Sequence, residues 1–335
     1  MIPNSRKLAL LLPVISAIFL SCPKPDREIK RVQFLMGTQV EIVARGKDEK
    51  QLEQAIGKGF QEIARLEAEL SRYRPDSIVS RINQQAGISP VRVDDEMMML
   101  IEKSQEVYEQ SQGAFDITIL PVLMIWKIND ADPTLPSDAE VKEKLKLVGC
   151  RKIVLDKIGK TVFLPEPGMA IDLGGIAKGY AADRAIKVLK ENKVSAGLVS
   201  VGGDLSAFGA RDKGMAVGIQ HPRARGKIIG KVYLRQGAIA TSGDYERFYI
   251  VNGVRYSHII DPRTGHPVQM EASVSVKAET GLLADAWATA LFVLGKEPGL
   301  KLLESRPDLE ALFIEPSGDS GATKWFSENM IWMKQ

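Results

Sequence analysis

Cysteine, histidine and aromatic residues are scarce in this chain. Its 335 residues include two cysteines and three histidines, and Phe, Trp and Tyr together make up 6% of the sequence. If Cys22 carries a lipid, as argued below, Cys150 has no partner and an internal disulfide is excluded. Stability must then come from the apolar core, and Cys150 is predicted to be a buried thiol.

An excess of charge of one sign is also missing. The formal net charge is +3, and no run of Lys and Arg is interleaved with aromatic residues. This pattern argues against a nucleic-acid-binding surface. The content of 44% apolar and 26% charged residues is ordinary for a globular protein, and the length allows one large domain or two modest ones.

No apolar run is long enough to cross a membrane as a helix. The longest, LALLLPVISAIFL, covers residues 8–20 and follows Arg6 and Lys7, which is typical of a secretory signal. It ends in FLSC, so Cys22 is predicted to be the lipidated first residue of a mature lipoprotein facing the periplasm. Residues 1–21 would be the signal peptide and 22–30 a tether. A plain signal peptide and an uncleaved anchor are the alternatives.

Apolar periodicity predicts the main elements of the first half. A strand is expected over 33–44, opening on a Met-Gly-Thr turn, and helices are expected over 48–73 and near 94–112. The stretch between these helices is interpreted as a loop over 74–90, and residues 129–138 as a linker.

The second half of the sequence has a different pattern of predicted elements. From residue 151 onward, short strands alternate with Gly and Asn-Gly turns, and the stretch VNGV at 251–254 predicts a two-residue hairpin turn. Helices are expected over 176–193 and 280–295. The fold class is therefore α+β, with mixed packing of strands and helices.

A glycine turn, IDLGGIAKG at residues 171–179, stands directly before one of these helices. Helix N-termini favour anions, and Gly174 and Gly175 allow close approach of the backbone to a ligand. Asp172 offers hard oxygen, and Lys178 adds a positive charge. The alternative is a turn that only packs a strand against a helix.

Two further groups of residues have catalytic potential. Asp285 and Thr289 are four residues apart on a predicted helix and share one face, where their oxygens suit Mg²⁺. Asp285 as a simple charge near the helix N-terminus is the alternative. A lone histidine is more often structural, but His258 lies in a polar loop with Asp261 and Arg263, which is a setting that suits acid–base catalysis. No hydrolase triad or zinc-site spacing is present.

Taken in chain order, these motifs resemble those of the ApbE-like FAD:protein FMN transferases. The resemblance covers roughly residues 31–295. The matching pieces are MGT (36–38), LSRYRPDSIVSRIN (70–83), GAFDITILPVLMIW (113–126), IDLGGIAKGYAADRA (171–185), VSVGGDLSAFG (199–209), ATSGDYERF (240–248), YSHIIDPRTGHPV (256–268) and ADAWATALFVLG (284–295).

The resemblance implies a compact α+β unit of T-fold-like architecture over 31–335, built as one body or as two lobes. It implies that Mg²⁺ is bound by the backbone carbonyl of Gly175 and by Asp285 and Thr289. His258 is our own candidate for the base that activates the attacking hydroxyl. The resemblance also implies a set of residues that bind FAD. These are Met36, Tyr73, Ala114, Phe115, Asp116, Asp172, Lys178 and Ile260.

The activity that the resemblance implies is transfer of FMN from FAD to a threonine of an acceptor protein, with release of AMP. Acceptors of the family carry a Ser/Thr-Gly-Ala-Thr motif. The stretch SGAT at 320–323 resembles the end of that motif, so self-modification at Thr323 is a hypothesis, with an ordinary turn as the alternative. Two rival functions remain: a Mg²⁺-dependent FAD pyrophosphatase, and a lipoprotein that binds flavin without catalysis.

Overall fold

The computed structural model describes residues 26–128, 135–210 and 213–333. The helices are α1 Glu49–Leu70, α2 Ile78–Gln84, α3 Asp95–Gln110, α4 Leu120–Trp126, α5 Asp138–Leu145, α6 Ala177–Glu191, α7 Gly281–Leu294, α8 Lys296–Leu303 and α9 Lys324–Asn329. The strands are β1 Arg27–Leu35, β2 Thr38–Gly46, β3 Val91–Arg92, β4 Val154–Asp156, β5 Thr161–Phe163, β6 Ala196–Val201, β7 Asp204–Phe208, β8 Met215–Gln220, β9 Ile228–Leu234, β10 Gly237–Gly243, β11 Phe248–Val251, β12 Val254–Ser257, β13 Ser273–Ala278, β14 Glu310–Ile314, β15 Ser320–Ala322 and β16 Ile331–Trp332.

An eight-stranded sheet forms the centre of the fold, in the order β1-β2-β6-β7-β10-β13-β14-β15. Every pairing within it is antiparallel. Both faces of the sheet are covered, so the side chains of one strand alternate between two cores. In β6, Val199 and Val201 enter the larger core, whereas Ala196 and Leu198 enter a smaller one.

Helices α1, α6 and α7 supply the larger core on one face of this sheet. The buried side of α1 repeats at helical spacing, and Trp287 and Phe292 of α7 are fully buried. On the opposite face, the three-stranded sheet β16-β9-β8 packs through residues such as Val217 and Val232, with Phe326 of α9. The protein therefore has three layers, and α6 and α7 lie in the helical layer.

A third apolar cluster holds the β11–β12 hairpin against α4. The rings of Tyr249 and Tyr256 are stacked with centroids 5.5 Å apart, and Trp126 stacks on Tyr256 at 5.8 Å. The indole N–H of Trp126 also donates to the carbonyl of Gly265 at 2.7 Å. These contacts fix the loop after β12, which carries His258 and Ile260.

The sequence-based expectations for the long helices and the hairpin are confirmed. Helices α1, α3, α6 and α7 lie within the predicted ranges. The VNGV stretch forms the β11–β12 turn, where Asn252 and Gly253 both have positive φ (52° and 78°). Cys150 is a free, buried cysteine, and burial raises the pKa of its thiol.

Several boundaries were wrong. The predicted strand over 33–44 is two strands, because β1 ends at Leu35 and the Met-Gly-Thr turn joins it to β2. Strand β1 also begins at Arg27, inside the predicted tether. The predicted loop over 74–90 contains α2, which begins after Ser77, whose side chain accepts from the N–H of Ser80. The predicted linker falls partly outside the described residues, and Asp138 already belongs to α5.

Removing the buried Phe292 ring should show how far the helical layer supports the fold. Phe292 is 0% exposed, whereas Phe34 on the edge strand is 76% exposed. Phe292→Ala should lower the free energy of unfolding by about 3–5 kcal/mol, because it removes apolar burial and leaves a cavity. Denaturant unfolding measures this loss, with Phe34→Ala as the control. Equal shifts for the two variants would contradict the assigned core.

Candidate active site

One cavity of about 750 Å³ collects every site residue that the sequence predicts. It is lined by residues from the β1–β2 turn, the loops after α1 and α3, the glycine turn, β10, the segment after β12, and α7. The predicted residues on its wall are Met36, Tyr73, Ala114, Phe115, Asp116, Asp172, Gly175, Lys178, His258, Ile260, Asp285 and Thr289. The fold thus brings them together, and the role of each stays a prediction.

The glycine turn is held rigidly at the cavity wall. Asp172 accepts the N–H of Gly174 at 2.8 Å, and its own N–H donates to the carbonyl of Ile117 at 2.7 Å. The Nε of Arg72 lies 2.8 Å from the second carboxylate oxygen of Asp172. Arg72 also stacks over the ring of Tyr73, 4.2 Å from its centroid, so the exposed tyrosine has a fixed neighbour.

The N-terminus of α6 is capped by a residue of another helix. No side chain next to α6 in sequence caps it, but Oδ2 of Asp285 accepts the N–H of Gly179 at 3.0 Å. Sequence reasoning expected free N–H groups here that would bind a ligand anion. The anion at this helix end is the protein's own carboxylate, which α7 supplies.

Asp285 is the most perturbed carboxylate at this wall. Burial and the neighbouring Asp204 raise its pKa to about 7, although Lys178 and the backbone N–H groups at the start of α6 oppose the shift. Only 3% of Asp285 is exposed. A buried carboxylate with too little compensating charge is a strong acceptor for a cation.

The oxygens around Asp285 suit a hard divalent cation. Thr289 lies one turn further along α7, with Oγ1 3.3 Å from the Ser242 hydroxyl. A methyl group placed on Gly175 would lie 3.2 Å from the same Thr289 oxygen, so the Gly175 backbone is adjacent to it. Carboxylate, hydroxyl and carbonyl oxygens are the ligands that Mg²⁺ prefers, and all three residues line the cavity.

Lys178 is held by a partner that the sequence did not identify. Its ammonium pairs with Oδ2 of Asp204, a residue that is 2% exposed. The other oxygen of Asp204, Oδ1, accepts the N–H of Thr241 at 3.2 Å. Burial disfavours the charged form of Lys178 and would lower its pKa. The negative charges of Asp204 and Asp285 outweigh this effect, so the pKa of Lys178 is raised. The lysine is therefore a fixed positive charge at the cavity wall.

Arg72 and Asp204 are the functional candidates that sequence reasoning missed. Both lie inside quoted motifs, Arg72 in LSRYRPDSIVSRIN and Asp204 in VSVGGDLSAFG. Arg72 pairs with Asp172, and Asp204 pairs with Lys178. Both pairs join segments that are far apart in the sequence. Their position inside those motifs was the one sequence signal that could have identified Arg72 and Asp204.

Both carboxylate oxygens of Asp116 accept hydrogen bonds from nearby protein groups. Its Oδ1 accepts the backbone N–H of Thr118 at 2.7 Å and the hydroxyl of Thr118 at 2.6 Å. Its Oδ2 accepts the N–H of Cys150 at 3.0 Å. Asp116 thus shapes the wall of the cavity beside Ala114 and Phe115, and both of its oxygens already have partners.

His258 is neutral and has one ring nitrogen available for chemistry. Its Nδ1 lies 3.2 Å from the carbonyl of Arg247, which assigns the proton to Nδ1 and leaves Nε2 as a proton acceptor. Burial lowers the pKa of His258 to about 4, helped by the positive charges of Arg247 and Lys178.

Two other groups of polar residues could suggest a functional site, but their side chains already have partners. In the described part of the chain, one group of three carboxylates, Glu69, Asp94 and Glu96, is close enough to share an ion. Arg65 already pairs with both glutamates, and Asp94 caps α3.

The hydroxyl of Thr323 accepts the N–H of Ala311 at 2.9 Å and donates to Glu310. Its hydroxyl is therefore not free, which disfavours self-modification.

Comparisons with known proteins place the chain in a family. Residues 36–313 match the model of the ApbE family. An FAD:protein FMN transferase of Treponema pallidum is 36% identical over 308 residues, which cover 87% of this chain and 85% of that protein. One of Klebsiella pneumoniae is 36% identical and covers 78% of this chain and 82% of that protein. The crystal structure of the ApbE protein of Thermotoga maritima superposes with a TM-score of 0.85 at 32% identity, covering 90% of this chain and 99% of that one.

The depressed pKa of His258 predicts a specific pH dependence of stability. Between about 4 and the ordinary value of 6.5, the unfolded chain binds a proton at this residue that the folded chain does not. His258 therefore lowers stability as the pH falls through this window.

His258→Asn removes that penalty. The melting temperature of the variant minus that of the wild type should become more positive at about pH 4.5 than at about pH 7.5, as measured by calorimetry. A difference that does not change with pH would contradict the depressed pKa of His258.

Proposed function

Because the chain belongs to the ApbE family, we propose that it transfers FMN from FAD to a threonine hydroxyl of an acceptor protein and releases AMP. The observation that carries the proposal is the convergence of all the predicted residues on one cavity. Its volume of about 750 Å³ is in the range of cofactor sites.

FAD is proposed to bind along the cavity wall with its pyrophosphate near Lys178. The charge of that lysine is fixed by Asp204 and would stabilise the phosphate oxygens as AMP departs. Met36, Ala114, Phe115 and Ile260 supply apolar surface for the rings of FAD. Tyr73 offers an aromatic face at the opening, and Asp172 and Asp116 hold the loops that shape the wall.

Mg²⁺ is proposed to be bound by Asp285, Thr289 and the carbonyl of Gly175. The raised pKa of Asp285, caused mainly by burial, supports a cation there, since a bound cation favours the charged carboxylate. When bound, the ion would neutralise charge on the phosphate oxygens. Asp285 would also keep its contact with the N-terminus of α6.

In the proposed reaction, the threonine Oγ attacks the FMN-side phosphorus and the bond to the AMP oxygen breaks. The hydroxyl proton passes to Nε2 of His258, and AMP leaves with the bridging oxygen. The pKa of His258 is low partly because Arg247 and Lys178 are positive. The negative charge of the FAD pyrophosphate opposes that effect and moves the pKa toward the working range of a base.

Asp285→Ala tests the proposed reaction. It should abolish covalent flavin fluorescence on an acceptor carrying Ser/Thr-Gly-Ala-Thr, incubated with FAD and Mg²⁺ and examined on a denaturing gel. Because the variant also leaves the N–H of Gly179 without its acceptor, its folding is checked by circular dichroism before the assay. Asp138→Ala, at a carboxylate that is 85% exposed on α5, is the control and should behave as wild type. Transfer by Asp285→Ala at the wild-type rate would refute the metal assignment.

The same assay without acceptor separates transfer from hydrolysis. Transfer predicts that AMP release is slow until an acceptor hydroxyl is supplied. Rapid release of AMP and FMN in buffer would instead identify an FAD pyrophosphatase. The absence of AMP and FMN under every metal condition would leave a flavin-binding protein.

The lipid anchor is proposed from the N-terminal pattern alone. Cys22 and the signal segment lie outside the described residues, and within the described ranges no helix is both long and apolar enough to span a bilayer. The mature protein is proposed to be tethered to an envelope membrane, facing the periplasm, through a lipidated Cys22. The transferase region would then follow the tether.

Cys22→Ser should yield a full-length protein that is not lipidated and no longer partitions into the detergent phase of a Triton X-114 extraction. Its transfer activity should be unchanged, because the anchor is separate from the cavity. Continued membrane association of the variant would show that the apolar segment itself is retained.

A further inference from the structure

Helices α6 and α7 touch at the level of their backbones. A methyl group placed on Gly179 would lie 2.0 Å from the carbonyl oxygen of Gly281, and one on Gly281 would lie 2.3 Å from that of Gly179. Real Cβ atoms are not found so close to backbone oxygen. The two glycines are therefore required by space, and the helices meet with no side chain between them.

Each helix also caps the N-terminus of the other. Asp183 of α6 accepts the N–H of Gly281 at 2.7 Å through Oδ1 and that of Leu282 at 2.9 Å through Oδ2. In return, Asp285 of α7 accepts the N–H of Gly179. One turn of α6, from 179 to 183, is thus bonded at both ends to the first turn of α7, from 281 to 285.

The carboxylate of Asp183 has a third donor that fixes its orientation. The hydroxyl of Ser206, on β7, donates to Oδ1 at 2.7 Å. Burial raises the pKa of Asp183, while these three donors oppose the shift. A charged acceptor with three donors makes strong hydrogen bonds, so Asp183 ties α7 to both α6 and the central sheet.

The candidate metal ligands lie on both sides of this contact. Gly175 precedes α6, whereas Asp285 and Thr289 are one and two turns into α7, about 6 and 12 Å along its axis from Gly281. A shift of α7 along α6 would therefore separate the carbonyl from the two side chains. The Asp183 hydrogen bonds oppose that shift.

We propose that Asp183 is a positioning residue for the metal site. It sets the register of α7 on α6 and thereby determines the affinity of the site for Mg²⁺, without lining the cavity. This inference rests on the metal site of the proposed function. Ser206 acts in the same direction but more weakly, because it contributes one donor to Asp183.

Direct metal binding tests the inference without relying on catalysis. Mn²⁺, which also prefers oxygen ligands, is titrated into the full-length protein with and without FAD, and free Mn²⁺ is followed by electron paramagnetic resonance. Asp183→Ala should weaken binding by about 10- to 100-fold, the usual effect of losing a group that orients a metal ligand. Asp183→Asn and Ser206→Ala should give smaller losses, and the asparagine variant covers the case in which the alanine variant fails to fold.

The matched control is Asp48→Ala. Asp48 is also an N-cap, accepting the N–H of Gln51 at 3.2 Å at the start of α1, so its removal lowers stability without touching the α6–α7 contact. It should leave Mn²⁺ affinity unchanged. In steady state, the KM for Mg²⁺ should rise in Asp183→Asn, while kcat at saturating Mg²⁺ stays near the wild-type value.

Two outcomes count against the inference and are distinguishable. If wild type binds Mn²⁺ and both Asp183 variants bind it equally well, Asp183 has only a structural role, and the proposed function is unaffected. If wild type binds no Mn²⁺ in either condition, the metal site of the proposed function fails and this inference fails with it.

Discussion

The reciprocal capping of α6 and α7 is the contact on which the rest of the site depends. Asp183 closes the N-terminus of α7, Asp285 closes that of α6, and the facing glycines leave no room for other side chains. Unsatisfied N–H groups at buried helix ends are costly, so this arrangement satisfies a need of the fold. The same geometry brings the Asp285 carboxylate to the wall of the cavity.

The balance of charge at that wall follows from this arrangement. Asp204 and Asp285 are 2% and 3% exposed and share one ammonium, that of Lys178. Two buried carboxylates beside one cation leave an excess of negative charge in a region of low dielectric constant. In the proposed function, a divalent cation would offset that excess and suit phosphate chemistry.

Local patterns allowed the sequence to predict much of this structure, and long-range pairing limited it. The helical spacing of α1 and the Asn-Gly turn of the β11–β12 hairpin are local signals, and both predictions are confirmed. The segment Ile78–Gln84 was misread as a loop because seven residues show little periodicity. The contacts of the Lys178 ammonium with Asp204 and of Asp183 with Gly281 join residues that are far apart in the sequence. Such long-range pairs leave no periodic pattern in the sequence from which they could be predicted.

The position of a bound metal tests the account most directly. A crystal of this protein grown with Mn²⁺ and FAD, measured for anomalous scattering, should show a peak among the Asp285 carboxylate, the Thr289 hydroxyl and the Gly175 carbonyl. A peak only at Glu69, Asp94 and Glu96, the other acidic group of the described residues, would contradict it. A structure with FAD in the cavity and no metal near Asp285 would contradict it equally.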